Sequence, residues 1–167
     1  KLDLPKEAPI TQPVVKEVLG PDAESVALAW RFPGVSDKDF EILQVVSQVL
    51  YNGKAGLIDL DLNQQQKVLN SYGYPMGLAD YSALLLGGLP KQGQTLEEVK
   101  DLLLSEIKKL RAGEFDEKML EANINNFKLY ELQSMESNEG RADIFVNSFI
   151  NGTNWEDEVT ALSLIHI

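Results

Sequence analysis

The sequence predicts an α+β fold in which an antiparallel sheet carries helices packed on one face. In the segment Ser25–Phe32, large apolar side chains alternate with small or polar ones, which is typical of a half-buried strand. Residues 67–74 and 81–88 form a further pair, separated by the turn-forming segment PMGLAD. Most other apolar residues recur at helical spacing. Strands grouped with helices in this order indicate helices layered on one side of a sheet.

The N-terminal part of the chain predicts a linker followed by a short strand. Residues 1–13 contain three prolines among mixed charges, which favours an extended linker. The apolar segment Val14–Gly20 is a candidate strand, and the proline after it favours a turn. We therefore expect residues 14–167 to form a single domain. With 167 residues, 44% of them hydrophobic, the chain is long enough to bury a core.

The first predicted helix lies between two sets of terminal signals. Ser36 or Asp37 caps its N-terminus by accepting free backbone N–H groups, and Asn52 and Gly53 end it because both tolerate positive φ. A shorter helix is predicted over Leu57–Gln66. The apolar face expected for the first helix comprises Phe40, Ile42, Leu43, Val45, Val46, Val49 and Leu50.

The second half of the chain predicts three more helices. Thr95 and Glu98 have the spacing of a capping box, and Gly113 ends the helix that follows them. A long helix is predicted from Asp116 to about Ser137, and a last one over Arg141–Ile150. The inward positions expected for the long helix are Leu120, Ile124 and Phe127.

Composition excludes several functional classes. The net charge of −11 repels phosphate backbones, so we expect no nucleic-acid partner. Without cysteine, the chain has no disulfide, thiolate nucleophile or cysteine-ligated metal. No apolar run approaches the roughly 18 residues of a membrane span. The chain begins with Lys and shows no signal-peptide pattern, so we expect it to be a processed or shortened piece of a larger protein.

No catalytic or metal-binding residue is predicted in this chain. The only histidine is His166, whereas a zinc-peptidase helix of H-E-x-x-H or H-x-x-E-H type needs two imidazoles. No G-x-S-x-G elbow and no glycine-rich nucleotide loop occurs. Asp59 and Asp61 lie two residues apart and do not share a helix face, so we interpret them as exposed carboxylates in preference to a metal site.

Three tyrosines, Tyr72, Tyr74 and Tyr81, cluster around the predicted strand pair. Aromatic residues on strands usually pack in the core or across strands. The alternative is that they contact a ligand, since a peptide can add to the edge of such a sheet through main-chain hydrogen bonds.

Several segments, taken in order, resemble the pitrilysin/insulinase family of zinc peptidases, the inverzincins. The resemblance covers about Val14–Trp155 and is nearest to a non-catalytic repeat or C-terminal domain of that family. The segments are ESVALAWRFPG, DKDFEILQVVSQVLYNGKAGLIDLDL, the paired strands, and TLEEVKDLLLSEIKKLRAGEFDEKMLEANINNFK, within which GEFDEKMLEA is particularly like the family's link into its long helix.

The resemblance implies a ferredoxin-like α+β domain of the insulinase type. Such domains form two halves that close around an unfolded peptide, and one domain binds zinc through an H-x-x-E-H motif and a further glutamate. Here Phe40–Gly53 occupies the place of the zinc helix without that motif. No cofactor is therefore expected in this chain, and zinc is expected in the catalytic domain of the parent protein. The resemblance also implies a further helical segment beyond the last residue, so we expect a C-terminal truncation.

The resemblance also implies where substrate lies. Family C-terminal domains place an arginine and a tyrosine near substrate, at the strand that follows the short helix. Tyr72 is the nearest match, and Tyr72 and Tyr74 are our predicted substrate-binding residues. The nearest basic residue to the position expected for the arginine is Lys67, and a lysine there departs from the family pattern.

The expected function is therefore that of a non-catalytic domain of a zinc metallopeptidase. Its expected partners are an unfolded peptide and a zinc-bearing catalytic domain, on the same or a partner chain. One alternative is a structural subunit derived from the same family, which a parent sequence with an H-x-x-E-H motif would argue against. The other is an unrelated ferredoxin-like ligand-binding domain, with Gly56, Gly73 and Gly77 in a ligand loop. The compartment stays open, with a bacterial periplasm or cell envelope suggested only by the family.

Overall fold

The computed structural model of this chain describes residues 7–156, which form a three-stranded antiparallel sheet and four α-helices. The strands are in the order β1-β3-β2. The elements are β1 Val26–Pro33, α1 Lys38–Leu50, β2 Asn70–Gly77, β3 Tyr81–Leu89, α2 Leu96–Ala112, α3 Glu117–Ser134 and α4 Asn138–Asn151, with a π-helical turn at Asp59–Asn63. The predicted α+β class with an antiparallel sheet is confirmed.

The core lies between one face of the sheet, the inner face, and helices α1 and α2. On this face Leu28 lies opposite Leu86 and Trp30 lies opposite Leu84. Full burial of each large apolar side chain contributes about 1.5–3 kcal/mol. The completely buried apolar residues are Val49, Leu50, Ile58, Leu62, Leu86, Val99 and Leu103. The helices are thus confirmed to lie on one face of the sheet.

The predicted helix ends are confirmed at several positions. Asp37 caps α1, and its carboxylate accepts a hydrogen bond from the backbone N–H of Asp39. Thr95 and Glu98 form a complete capping box at the start of α2. Gly113 ends α2 as predicted, with φ of 71°, and Gly152 ends α4 in the same left-handed conformation that favours glycine, with φ of 69°.

The strand predicted over Val14–Gly20 is wrong. Residues 7–25 contain no strand, and Val15 and Leu19 are 90% and 92% exposed. The apolar positions 14, 15, 18 and 19 do not alternate, so no strand register could place them all on one face. The strand predicted over 67–74 is displaced, because β2 begins at Asn70 and continues to Gly77.

The short helix predicted over Leu57–Gln66 contains a π-helical turn at Asp59–Asn63, which is half of its length. Its i→i+5 hydrogen bonds include Gln64 N–H to Asp59 O at 2.8 Å. The interpretation of Asp59 as exposed is also wrong. Its carboxylate is buried and accepts hydrogen bonds from the backbone N–H groups of Asn52 at 2.9 Å and Gly56 at 3.0 Å. Asp59 thereby fixes the loop that follows α1.

One side chain of the predicted apolar face of α1 lies outside the core. Ile42 is 60% exposed, because it lines an open apolar groove between α1 and α2 beside Trp30 and Phe32. None of the helices within residues 7–156 is long and apolar enough to cross a membrane.

A partly buried ion cluster, in which only Glu106 is fully buried, joins α2 to the π-helical turn. Lys109 Nζ lies 2.9 Å from Glu106 Oε1 and 2.5 Å from Asp61 Oδ2. Burial raises the pKa of Glu106, and the hydrogen bond from Lys109 partly offsets that effect. Burial would lower the pKa of Lys109, but its hydrogen bonds to Asp61 and Glu106 outweigh burial and raise the pKa. The cluster is therefore stable only while Lys109 carries its charge.

We expect Lys109→Met to lower the free energy of unfolding by about 2 kcal/mol at pH 7, because Glu106 is left buried and ionised without a cation. The raised folded-state pKa of Glu106 means that ionising it costs stability as pH rises above its ordinary value of 4.5. The loss should therefore shrink as pH falls towards about 4. Urea unfolding at both pH values measures it, with Lys108→Met as the exposed control. An equal loss at both pH values would contradict this account.

Candidate functional site

The sheet face that points away from α1 and α2, called the open face below, is the main candidate site. Tyr74 and Met76 on this face are 44% and 41% exposed. Because side chains alternate along each strand, the register places whole rows of side chains on this face. The three central rows are Ala27–Gly87–Tyr72, Ala29–Leu85–Tyr74 and Arg31–Ala83–Met76. The open face therefore combines small residues on β1 and β3 with large ones on β2.

Two aromatic rings dominate the β2 side of the open face. The Tyr72 and Tyr74 rings stack with centroids 6.2 Å apart and planes at 16°. Gly87 makes room for this arrangement, since a Cβ at that position would lie 2.3 Å from Tyr72 Cζ. The structure thus brings the two predicted substrate-binding tyrosines together on one surface. Lys67 lies three positions before β2 begins, outside the strand.

The open face is almost free of charge. The chain contains 26 acidic residues, yet the three central rows contain none of them and a single charged residue, Arg31. The Arg31 guanidinium lies 4.9 Å from the centroid of the Tyr81 ring, within the range of a cation–π contact. Such a surface favours apolar and main-chain contacts over binding of a cation.

The outer edge of β2 is a poor template for strand addition. Ser71 N–H donates to Asn63 Oδ1, and Asn63 Nδ2 donates to Ser71 O, each at 2.8 Å, so a side-chain amide occupies the place of a partner strand. Residues two apart along a strand direct their main-chain groups the same way, so Gly73 and Pro75 also face outward. Pro75 has no N–H to donate, which is tolerated on an edge strand.

Sequence reasoning assigned no role to Arg31 or Asn63, and it considered Tyr81 only as one of three clustered tyrosines. Arg31 shares its strand parity with Ala27 and Ala29, so its placement on the open face could be inferred from the alternation. Asn63 carries no such local signal, because its contact with Ser71 depends on how the π-helical turn meets β2.

The glycines considered for a ligand loop are packed against the core instead. A Cβ at Gly73 would lie 2.6 Å from Leu86 Cδ2, and one at Gly77 would lie 2.6 Å from Phe40 Cζ. A Cβ at Gly56 would lie 2.6 Å from the Leu50 carbonyl oxygen. Close packing accounts for these three glycines, so they give no support to a ligand-binding loop.

The helix at the place of the expected zinc helix is built for packing. α1 buries Leu43, Ser47, Val49 and Leu50 against the sheet and its neighbours. Within residues 7–156, no group of three or more histidine, aspartate or glutamate side chains could hold a metal ion. His166 lies outside the described residues.

The sheet, its helices and the apolar α1 define an α+β domain in which α1 lacks the zinc-binding motif. The sequence matches the family described as the Peptidase M16 inactive domain over residues 1–127, and the chain belongs to this family. The resemblance to the non-catalytic domains of the pitrilysin/insulinase zinc peptidases is thereby confirmed. Comparison with curated protein sequences gives no significant match.

Solved structures with a similar fold include three bacterial proteins. A protease from Helicobacter pylori has a TM-score of 0.75 and 21% identity, over 84% of this chain and 34% of that chain. The inactive peptidase domain of a predicted zinc protease from Bordetella parapertussis has a TM-score of 0.68 and 17% identity, over 77% of this chain and 70% of that chain. A predicted zinc protease from Bordetella pertussis Tohama I has a TM-score of 0.68 and 16% identity, over 80% of this chain and 74% of that chain.

These likenesses show a shared fold. The chain spans about a third of the length of the Helicobacter pylori protease that it resembles.

We expect Gly87→Ala to displace the Tyr72 ring and separate it from Tyr74, because the added methyl group would occupy the space of the ring. The free energy of unfolding should fall by about 1 kcal/mol. Nuclear Overhauser contacts between the two rings, together with urea unfolding, measure the effect. Gly20→Ala is the control, since a Cβ there meets nothing within 4 Å. Unchanged ring contacts in Gly87→Ala would refute the role given to Gly87.

Proposed function

We propose that this chain is the non-catalytic domain of a zinc metallopeptidase and forms one wall of a peptide-binding chamber. A separate zinc-bearing catalytic domain, on the same or a partner chain, closes the chamber and cleaves the peptide. The observation that carries the proposal is the open face, which is exposed, apolar and nearly uncharged in a domain of the inactive M16 family.

In this proposal the peptide lies across the open face, with Tyr72 and Tyr74 as its main contacts. Aromatic side chains supply large contact areas at low cost in conformational entropy. Asn63 and Pro75 disfavour addition of the peptide to the outer edge of β2, so the open face is a better surface than that edge. An extended peptide suits this surface, because its side chains alternate towards and away from the sheet.

Chemistry and binding are divided between two domains in this proposal. Zinc belongs to the catalytic domain, where it would activate water for hydrolysis. The residues of this chain hold and orient the peptide, which raises the effective concentration of the bond to be cleaved.

A structural subunit of a larger assembly is the second candidate function. It is favoured by large apolar side chains that are exposed on α3 and α4 and that a partner protein could cover. Examples are Tyr130, Leu132 and Phe149, which are 70%, 62% and 88% exposed. The parent sequence discriminates between the two candidates, because only the peptidase needs an H-x-x-E-H motif elsewhere.

We expect the double variant Tyr72→Ala, Tyr74→Ala to bind an unfolded peptide about tenfold more weakly, since two aromatic contacts are lost. Fluorescence anisotropy with a labelled, unstructured casein peptide measures the dissociation constant. Tyr130→Ala is the matched control, because Tyr130 is an exposed tyrosine on α3. Equal weakening by the control variant would argue against the open face as the binding surface.

We expect the chain alone to bind no stoichiometric zinc and to hydrolyse no peptide, and addition of the catalytic domain of the same peptidase to restore hydrolysis. Isothermal titration with zinc and a quenched-fluorescence peptide assay measure the two properties. Tight zinc binding or intrinsic peptidase activity would reject the proposed division of labour.

A further inference from the structure

We propose that Arg31 and Tyr81 form a subsite that binds the main chain of an extended peptide at one end of the open face. The inference rests on the proposed function and deepens it, because it states how the peptide is held and which peptides are accepted. The ligand class is an extended polypeptide segment, recognised through its backbone.

A segment of this chain already occupies the subsite. Arg31 Nη2 donates a hydrogen bond to the carbonyl oxygen of Ala8 at 2.6 Å. The backbone N–H of Glu7 donates to the Tyr81 hydroxyl oxygen at 3.1 Å. Both partners are main-chain groups of successive residues, so the contacts do not depend on side-chain identity. Residues 7 and 8 are themselves exposed and lie outside any helix or strand, as a bound peptide would.

The two side chains are pre-positioned by the sheet. Arg31 lies opposite Ala83 and Tyr81 lies opposite Pro33, so they are diagonal neighbours on the open face. The contact between the guanidinium and the Tyr81 ring holds both groups in place. Arg31 presents a donor and Tyr81 an acceptor, which match the carbonyl oxygen of one residue and the N–H of the residue before it, as in the contacts with Ala8 and Glu7.

The subsite is continuous with the tyrosine pair. Arg31, Ala83 and Met76 form one row across the sheet, and Tyr74 belongs to the next row. Neighbouring strands lie about 4.8 Å apart, so the distance from β1 to β2 is about 10 Å, which about three extended residues span. A peptide held at Arg31 can therefore reach Tyr74 within a few residues.

Two consequences follow for peptide selection. Main-chain recognition accepts many sequences, but it requires an N–H at the residue that faces Tyr81, so proline is rejected at that position. The chain's own residues 7 and 8 compete with an incoming peptide, which must displace them.

The test uses the full chain and an acetylated peptide copying residues 7–14, EAPITQPV, with a fluorescein label at its C-terminus. We expect Arg31→Met to weaken binding of this probe about tenfold and Tyr81→Phe about fivefold, since each removes one hydrogen bond. Tyr81→Phe keeps the ring beneath Arg31. Arg111→Met and Tyr130→Phe serve as matched controls and should leave the affinity unchanged.

Two further comparisons separate main-chain from side-chain recognition. Glu7→Pro in the chain removes the internal N–H donor and should tighten probe binding about threefold, whereas Glu7→Gln, which keeps that donor, should not. A probe N-methylated at its first residue should bind about fivefold more weakly, while a probe with permuted side chains and a non-proline first residue should bind as well as the original.

The possible outcomes distinguish this subsite from the proposed function. If Arg31→Met and Tyr81→Phe both bind the probe normally while the Tyr72, Tyr74 variant does not, the subsite is refuted and peptide binding by the open face stands. If the probe with permuted side chains fails to bind, recognition through the main chain is refuted, although binding at the subsite is not. If neither the parent chain nor Glu7→Pro binds any peptide, both proposals fail. Circular dichroism of each variant shows whether the fold is retained.

Discussion

The pairing of β3 with its two neighbours determines which side chains are buried and which are available to a partner. β3 is the central strand, and its residues alternate between Leu84 and Leu86 on the inner face and Ala83 and Leu85 on the open face. A slip of one residue would exchange the two faces and expose the core. The inner face carries the large apolar side chains that α1 and α2 cover. The same register places mostly small or aromatic, uncharged side chains on the open face. Stability and the candidate binding surface thus depend on one constraint.

The π-helical turn covers part of one outer edge of this sheet, that of β2. Asp59 fixes the start of the turn by accepting two backbone N–H groups, and Asn63 at its end pairs with both main-chain groups of Ser71. Exposed edges of sheets promote unwanted pairing with other chains, and a side chain that mimics a strand limits it. The turn therefore restricts contacts at the β2 edge, which is one of the two outer edges of the sheet.

Sequence reasoning succeeded where the determining interactions are local. The capping box at Thr95 and the left-handed glycine at Gly113 each depend on a few neighbouring residues, and both were predicted. The alternation in Ser25–Phe32 likewise predicted β1. The strand predicted over Val14–Gly20 failed because apolar composition alone does not supply a partner or a consistent face.

Long-range placement accounts for what the sequence could not reveal. A π-helical turn of five residues is too short for its apolar periodicity to be distinguished from that of an α-helix, so the turn at Asp59–Asn63 was predicted as a helix. The family resemblance drew attention to Tyr72 and Tyr74, whose role in binding stays a prediction. The proximity of Arg31 and Tyr81 requires the register of two strands 50 positions apart in sequence, which no local pattern contains.

The proposed mode of binding also sets an upper limit on affinity. The hydrogen bond from the charged Arg31 contributes about 1.5–3 kcal/mol, the neutral bond to the Tyr81 hydroxyl contributes about 0.5–1.5 kcal/mol, and an aromatic pair adds about 1 kcal/mol beyond its buried area. After the entropy of ordering a flexible peptide is subtracted, a dissociation constant in the micromolar to millimolar range is expected for this wall alone. Weak, sequence-tolerant contacts suit a chamber that must release its products, because tight binding by a non-catalytic wall would retain the fragments. Selectivity for the bond to be cleaved would then arise in the catalytic domain, while this domain would select for extended backbone.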